Sequence, residues 1–280
     1  MRTHELRCLG PHGFHRVTYY EWGDAENARV VVCVHGLTRN GRDFDALARA
    51  LAPQFRVLCP DVAGRGLSQW LTHKEDYAYP VYLADMAAVI ARTGADEVDW
   101  IGTSMGGLIG MMLAAQPDTP IRRLLLNDVG PFIPRAALER LAQYVGKAPS
   151  FATLDELERY LRMVMAPFGA LSDAQWHHFA THSSRRSDDG SFTLSYDPAI
   201  ANAFVAPLQD VALWPVWDAI RCPTLVVRGQ ESDLLLRETA EQMTRRGPKA
   251  RLVEFDAIGH APALMADDQI AVVKEFLERP

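Results

Sequence analysis

Apolar positions along this chain follow two rhythms that alternate from end to end. Arg29-Val-Val-Val-Cys-Val34 is a continuous apolar run rich in β-branched residues. Such a run suits a strand buried on both faces, as in a parallel sheet. Similar short runs recur at 55–59, 96–101, 121–126, 223–227 and 251–255, and each is predicted as a strand. Between them, 43–52, 78–92, 235–246 and 269–278 carry helical spacing, as in Val81, Leu83, Met86, Val89 and Ile90. The stretch 105–116 is apolar on all sides and is predicted as a helix buried at the centre of the protein. Two extended strands, near 4–9 and 14–22, precede this series and are joined through Gly10-Pro-His-Gly13. Regular alternation of strand and helix predicts an α/β class protein with a doubly wound, mostly parallel sheet.

The alternation breaks between 132 and 215, where helices are predicted at 134–145, 153–166, 172–182 and 198–213, interrupted by a charged loop at 183–190. This stretch is read as a helical cap inserted into a core made of 1–131 and 216–280.

At 280 residues the chain can bury a sizeable core, and one α/β domain with an insertion accounts for its length. A net charge of -6 gives no reason to expect nucleic acid or an anionic membrane as partner. No segment has the apolar length of a membrane span, and the charged Met1-Arg-Thr-His-Glu-Leu-Arg7 lacks the apolar core of a signal peptide. The cysteines Cys8, Cys33, Cys59 and Cys222 are widely spaced and form no C-x-x-C pair. They are expected to be small buried thiols, and a cytoplasmic location is expected.

The chemistry centres on Gly102-Thr-Ser-Met-Gly106, a G-x-S-x-G pattern between a predicted strand and the apolar helix. A serine hydroxyl becomes a useful nucleophile only when it stands clear of the backbone with a base beside it. A sharp strand-to-helix turn achieves this, and glycines are needed where side chains would collide. His260, in Asp256-Ala-Ile-Gly-His-Ala-Pro262, can titrate near neutral pH and exchange a proton with Ser104.

Together these features resemble the α/β-hydrolase fold family, in its serine esterase- and lactonase-like branch, over nearly the whole chain. The family's order of nucleophile, acid and histidine is met by Ser104, Asp233 and His260. Asp128, after the preceding strand, is the main alternative acid, and Glu231 lies two residues from Asp233. The resemblance implies an oxyanion hole from the backbone N–H groups of Leu37 and Met105. Thr38 stands where the family often has a second glycine, and the His-Gly-Gly-Gly run of some esterases is absent. His35 is expected to hold its loop, and Pro60–Ser68 to form a structural loop near the pocket.

Other features are given structural roles. His177, His178 and His182 lack a third ligand or an H-E-x-x-H pattern, so no metal is expected. Arg185 and Arg186 could clamp a substrate carboxylate, or form a solvated loop. Met163, Met165, Phe168, Trp176, Phe179, Trp214 and Trp217 are expected mostly in the core of the cap, a few lining a pocket.

The function implied is hydrolysis of a small-molecule carboxylic ester or lactone through an acyl-enzyme, without a cofactor. A carbon–carbon bond hydrolase, an acyltransferase and a non-catalytic binding protein on the same fold are the alternatives.

Overall fold

The apolar runs form one sheet. In the computed structural model, which describes residues 1–204 and 207–279, its strands are β1 (Arg2–Gly10), β2 (Gly13–Trp22), β3 (Val30–Val34), β4 (Arg56–Pro60), β5 (Val98–Thr103), β6 (Ile121–Asn127), β7 (Thr224–Gly229) and β8 (Arg251–Phe255). Their spatial order is β1-β2-β4-β3-β5-β6-β7-β8. The first two strands form an antiparallel hairpin and β2 pairs antiparallel with β4. All remaining pairs are parallel.

The pleat explains why β3 is apolar without a break. Val30, Val32 and Val34 enter one apolar layer, while Val31 and Cys33 enter the other. Successive side chains point to opposite faces, and both faces are covered. Helices α2 (Tyr79–Thr93) and α3 (Met105–Ala114) cover the first face, and α1 (Asp45–Leu51) covers the second with the C-terminal α9 (Asp267–Glu278). Helix α3 is the buried helix expected, with Gly106 to Met111 all buried.

Between β6 and β7 the chain forms α4 (Arg135–Ala142), α5 (Leu154–Val164), α6 (Asp173–Ser183) and α7 (Trp214–Ala219). Thr153 caps α5, and Ser172 with Gln175 forms a capping box on α6. The two helices pack around Leu157, Leu161, Trp176 and Phe179, a cluster separate from both layers of the sheet. Here local reading failed in two places. The predicted helix 198–213 is instead a 3₁₀ turn at Pro198–Phe204, and Val211–Ala212 pairs with Phe132–Ile133. Pro207 removes a helical donor and accounts for the break; residues 205 and 206 lie outside the described residues. The charged loop at 183–190 belongs to a short hairpin, Ser184–Arg186 against Phe192–Leu194. Past β7, α8 (Arg237–Met243) returns the chain to β8. No helix among the described residues is long and apolar enough to cross a membrane.

Candidate active site

Ser104 stands between β5 and α3 with φ 52° and ψ -116°, a conformation that non-glycine residues rarely adopt. Its neighbours leave no alternative. A Cβ on Gly102 would lie 2.3 Å from the Gly106 carbonyl oxygen, and one on Gly106 would lie 2.0 Å from that of Val34. The contacts are with backbone, which cannot swing aside. Gly106→Ala is therefore expected to destabilise by about 3 kcal/mol or more. A thermal melt should show a fall of about 6–12 °C; an unchanged melting temperature would contradict this close packing.

The hydroxyl of Ser104 donates to His260 Nε2 at 3.0 Å, and His260 Nδ1 donates to Asp128 Oδ2 at 2.7 Å. The expectation that Asp233 sits against His260 is thus corrected. Asp233 is exposed and forms an ion pair with Arg140. Asp128 follows β6 directly, is fully buried, and takes a left-handed backbone conformation (φ 56°) that Asp tolerates. Its carboxylate also accepts from the Gly229 backbone N–H (2.9 Å) and the Ser232 hydroxyl (2.5 Å). The loop after β7 therefore supplies hydrogen-bond donors to the carboxylate rather than the carboxylate itself. Ser232 was not singled out from sequence, nor was Asn127. The Asn127 amide donates to Thr103 Oγ1 (3.0 Å) and to the Pro262 carbonyl (2.8 Å), tying the histidine loop to the serine turn. Glu231 takes no part in these contacts.

The loop after β3 is held from two sides. His35 is fully buried; its Nδ1 donates to the Gly36 carbonyl (2.7 Å) and its Nε2 accepts from the Val62 N–H (2.9 Å). Burial pushes its pKa down to about 3, with the cations of Arg65 and Arg39 adding to the fall. Arg65 is buried, and among the described residues no carboxylate pairs with it. It donates to the carbonyls of Leu37 (2.9 Å) and Ala63 (2.7 Å) and to the Tyr82 hydroxyl (2.9 Å). Leu37 and Met105 flank Ser104 on the same cavity wall. As the first residue of α3, Met105 has no intrahelical acceptor for its N–H.

His35 predicts an acid sensitivity. Folded, it stays neutral down to about pH 3, whereas the unfolded chain protonates it near 6.5. Its contribution is complete above pH 6.5 and is lost as pH falls toward 3. Buried Asp61 has its carboxyl raised to about 6 by burial and acts in the opposite sense over part of that window. The histidine term is therefore read by difference: on acidification from pH 7 to 4, wild type should lose more melting temperature than His35→Gln. Equal losses would contradict a neutral buried His35.

Two cavities meet at Ser104. One, of about 900 Å³, is predominantly apolar and is walled by residues such as Met105, Leu108, Val129 and Ile200. The other, of about 90 Å³, is lined by His260 as well as Ser104, and by Arg39, Arg140, Met165 and Phe168. Of the apolar residues expected in the insertion, Met165 and Phe168 reach this small chamber. Trp176, Phe179 and Trp217 are buried in cores, while Met163 is exposed. Arg185 lies over the Trp70 ring and Arg186 over Phe192, and neither lines a chamber at Ser104. His178 and His182 lie near Asp45, whose carboxylate is held by Arg42.

A model of the alpha/beta hydrolase family matches residues 31–273. The chain belongs to the alpha/beta hydrolase family. This hydrolase is 47% identical over 280 residues to a 3-hydroxybutyrate-oligomer hydrolase of Cupriavidus necator, covering 97% of this chain and 96% of that one. It is 27% identical to an esterase of Mycobacterium tuberculosis, with 88% and 80% of the two chains covered. Among solved structures, a putative hydrolase from Rickettsia typhi superposes with TM-score 0.94 at 32% identity, all of both chains being covered. An alpha/beta hydrolase from Novosphingobium aromaticivorans gives TM-score 0.86 at 36% identity over 99% of each chain. In this hydrolase the serine turn, the histidine loop and Asp128 thus converge beyond the carboxyl ends of neighbouring strands, where open α/β sheets place their ligands.

Proposed function

We propose that this hydrolase cleaves carboxylic esters of small molecules through an acyl-enzyme on Ser104, and that short oligoesters of 3-hydroxybutyrate are among its substrates. The observation that carries the reading is the unbroken hydrogen-bonded series Ser104–His260–Asp128 opening on an apolar cavity. His260 Nε2 takes the Ser104 proton as Oγ attacks the ester carbonyl. Asp128 fixes the tautomer that leaves Nε2 free to accept and stabilises the imidazolium that forms. The N–H groups of Leu37 and Met105 receive the oxyanion. Arg65, holding the Leu37 carbonyl, keeps the first donor aimed. His260 then protonates the leaving alcohol, and a water activated by the same nitrogen releases the acid.

The substrate class follows from the 47% identical relative and agrees with the cavity. An oligoester of methyl-branched units offers apolar surface and few hydrogen-bond donors, which suits largely apolar walls. The free thiols Cys8, Cys33, Cys59 and Cys222 agree with a cytoplasmic setting.

Turnover of p-nitrophenyl esters of increasing acyl length and of 3-hydroxybutyrate dimer and trimer tests the reading. A fluorophosphonate probe is run in parallel. Hydrolysis of both substrate sets, with the probe mapped to Ser104, is the expected result. An unlabelled serine and no ester turnover would sink the proposal.

A further inference from the structure

The two chambers at Ser104 differ in size and in their access to the histidine. His260 lines the small chamber and is not part of the wall of the large one. A leaving oxygen must lie within hydrogen-bond reach of His260 Nε2 to be protonated as it departs. The small chamber is therefore on the leaving-group side of the scissile bond. At about 90 Å³ against about 900 Å³, it is sized for one short unit and not for a chain. The 900 Å³ cavity is left for the acyl half.

The small chamber also carries two guanidinium groups. Arg39 donates through Nε and Nη2 to Asp43, at 2.7 and 2.6 Å. Arg140 uses the same edge on Asp233. Both pairs leave Nη1 outside the fork; among the described residues Arg39 Nη1 meets the Met165 sulfur at 3.4 Å, a weak acceptor, and the Arg140 guanidinium also meets Tyr144. Of the cations on the wall of the large cavity, Lys74 is paired with the buried carboxylate of Asp197, and Arg65 donates to the carbonyls of Leu37 and Ala63 and to the Tyr82 hydroxyl.

We propose, resting on the ester-hydrolase reading above, that the small chamber receives the leaving alcohol and that Arg39 and Arg140 select one bearing a carboxylate. The preferred leaving group is thus a single short hydroxycarboxylate. On an oligoester of hydroxyacids, cleavage then starts at the carboxylate end and removes one unit at a time. The Ser104 Oγ–carbonyl bond forms, the carbonyl–oxygen bond to the terminal unit breaks, and the His260 Nε2 proton passes to the departing oxygen. Water then cleaves the acyl-enzyme, so each unit released consumes one water.

The test uses 3-hydroxybutyrate trimer with ¹³C in its carboxyl-terminal unit, as free acid and as the primary amide, which keeps the shape and removes the charge. Activity on p-nitrophenyl butyrate is checked first, because its absence would count against the ester-hydrolase reading itself. With that activity present, labelled monomer should be the first product. The acid should exceed the amide in kcat/KM by about tenfold to a hundredfold, the range for a hydrogen bond to a charged group. In Arg140→Gln that ratio should shrink toward one. Unlabelled monomer released first, an amide cleaved as well as the acid, or a ratio unchanged in Arg140→Gln would each overturn the proposal.

Discussion

Asp128→Asn is expected to lower kcat on p-nitrophenyl butyrate by about ten-thousandfold, whereas Asp233→Asn should leave it within about threefold. The two residues differ in what they hold. Asp128 is fully buried and accepts the Nδ1 proton of His260, which leaves Nε2 free to receive the serine proton. An asparagine amide can present its N–H₂ to Nδ1 and so stabilise the opposite tautomer, with the proton on Nε2. That histidine cannot act as the base, and the imidazolium loses its counter-charge. The interaction is needed in the transition state more than in the bound substrate, so kcat should fall with little change in KM. Asp233 holds only a solvent-exposed pair with Arg140. Steady-state kinetics on both variants, with melts to confirm folding, decides the matter; a large loss in Asp233→Asn alone would return the acid to that position.

Ser104→Gly should be inactive and more stable. Loss of the proposed nucleophile is expected to cost about a millionfold in kcat. The same change removes a side chain from a residue at φ 52°, a conformation that costs about 1–3 kcal/mol in non-glycine residues. Greater freedom of the unfolded chain offsets about 0.4–1 kcal/mol of that gain. The melting temperature should therefore rise by about 1–5 °C. Ser104→Ala, which keeps a Cβ, should be equally inactive without the rise. A lower melting temperature for the glycine variant would mean that the turn is not strained at this residue.

The doubly wound sheet was legible because its strands are buried on both faces, and Val30–Val34 leave no polar residue to confuse the period. The pairing of Ser104 with His260 was legible because each sits in a local pattern that few other structures require. The acid was not. Asp128 and Asp233 both follow sheet strands, and only the path of the loop after β7 separates them. That loop turns Ser232 toward the site and Asp233 toward solvent, a difference of one residue that carries no periodic signal. The segment 198–213 failed for another reason: its apolar spacing was compatible with a helix, and pairing of Val211–Ala212 with Phe132–Ile133 depends on a contact across nearly eighty residues. The small chamber was hidden for the same cause, since Arg39, Arg140 and His260 meet only in the folded chain.

Because the chambers join at Ser104, the two products of the proposed reaction would leave by different routes and at different times. The alcohol departs first and vacates the space on the His260 side, and that space is then the room through which water approaches the acyl-enzyme. A hydroxyacid returning to it would exclude that water and present its own hydroxyl to His260 Nε2. Rising product concentration would then return the acyl group to the chain it came from and slow net shortening, in proportion to the occupancy of the small chamber.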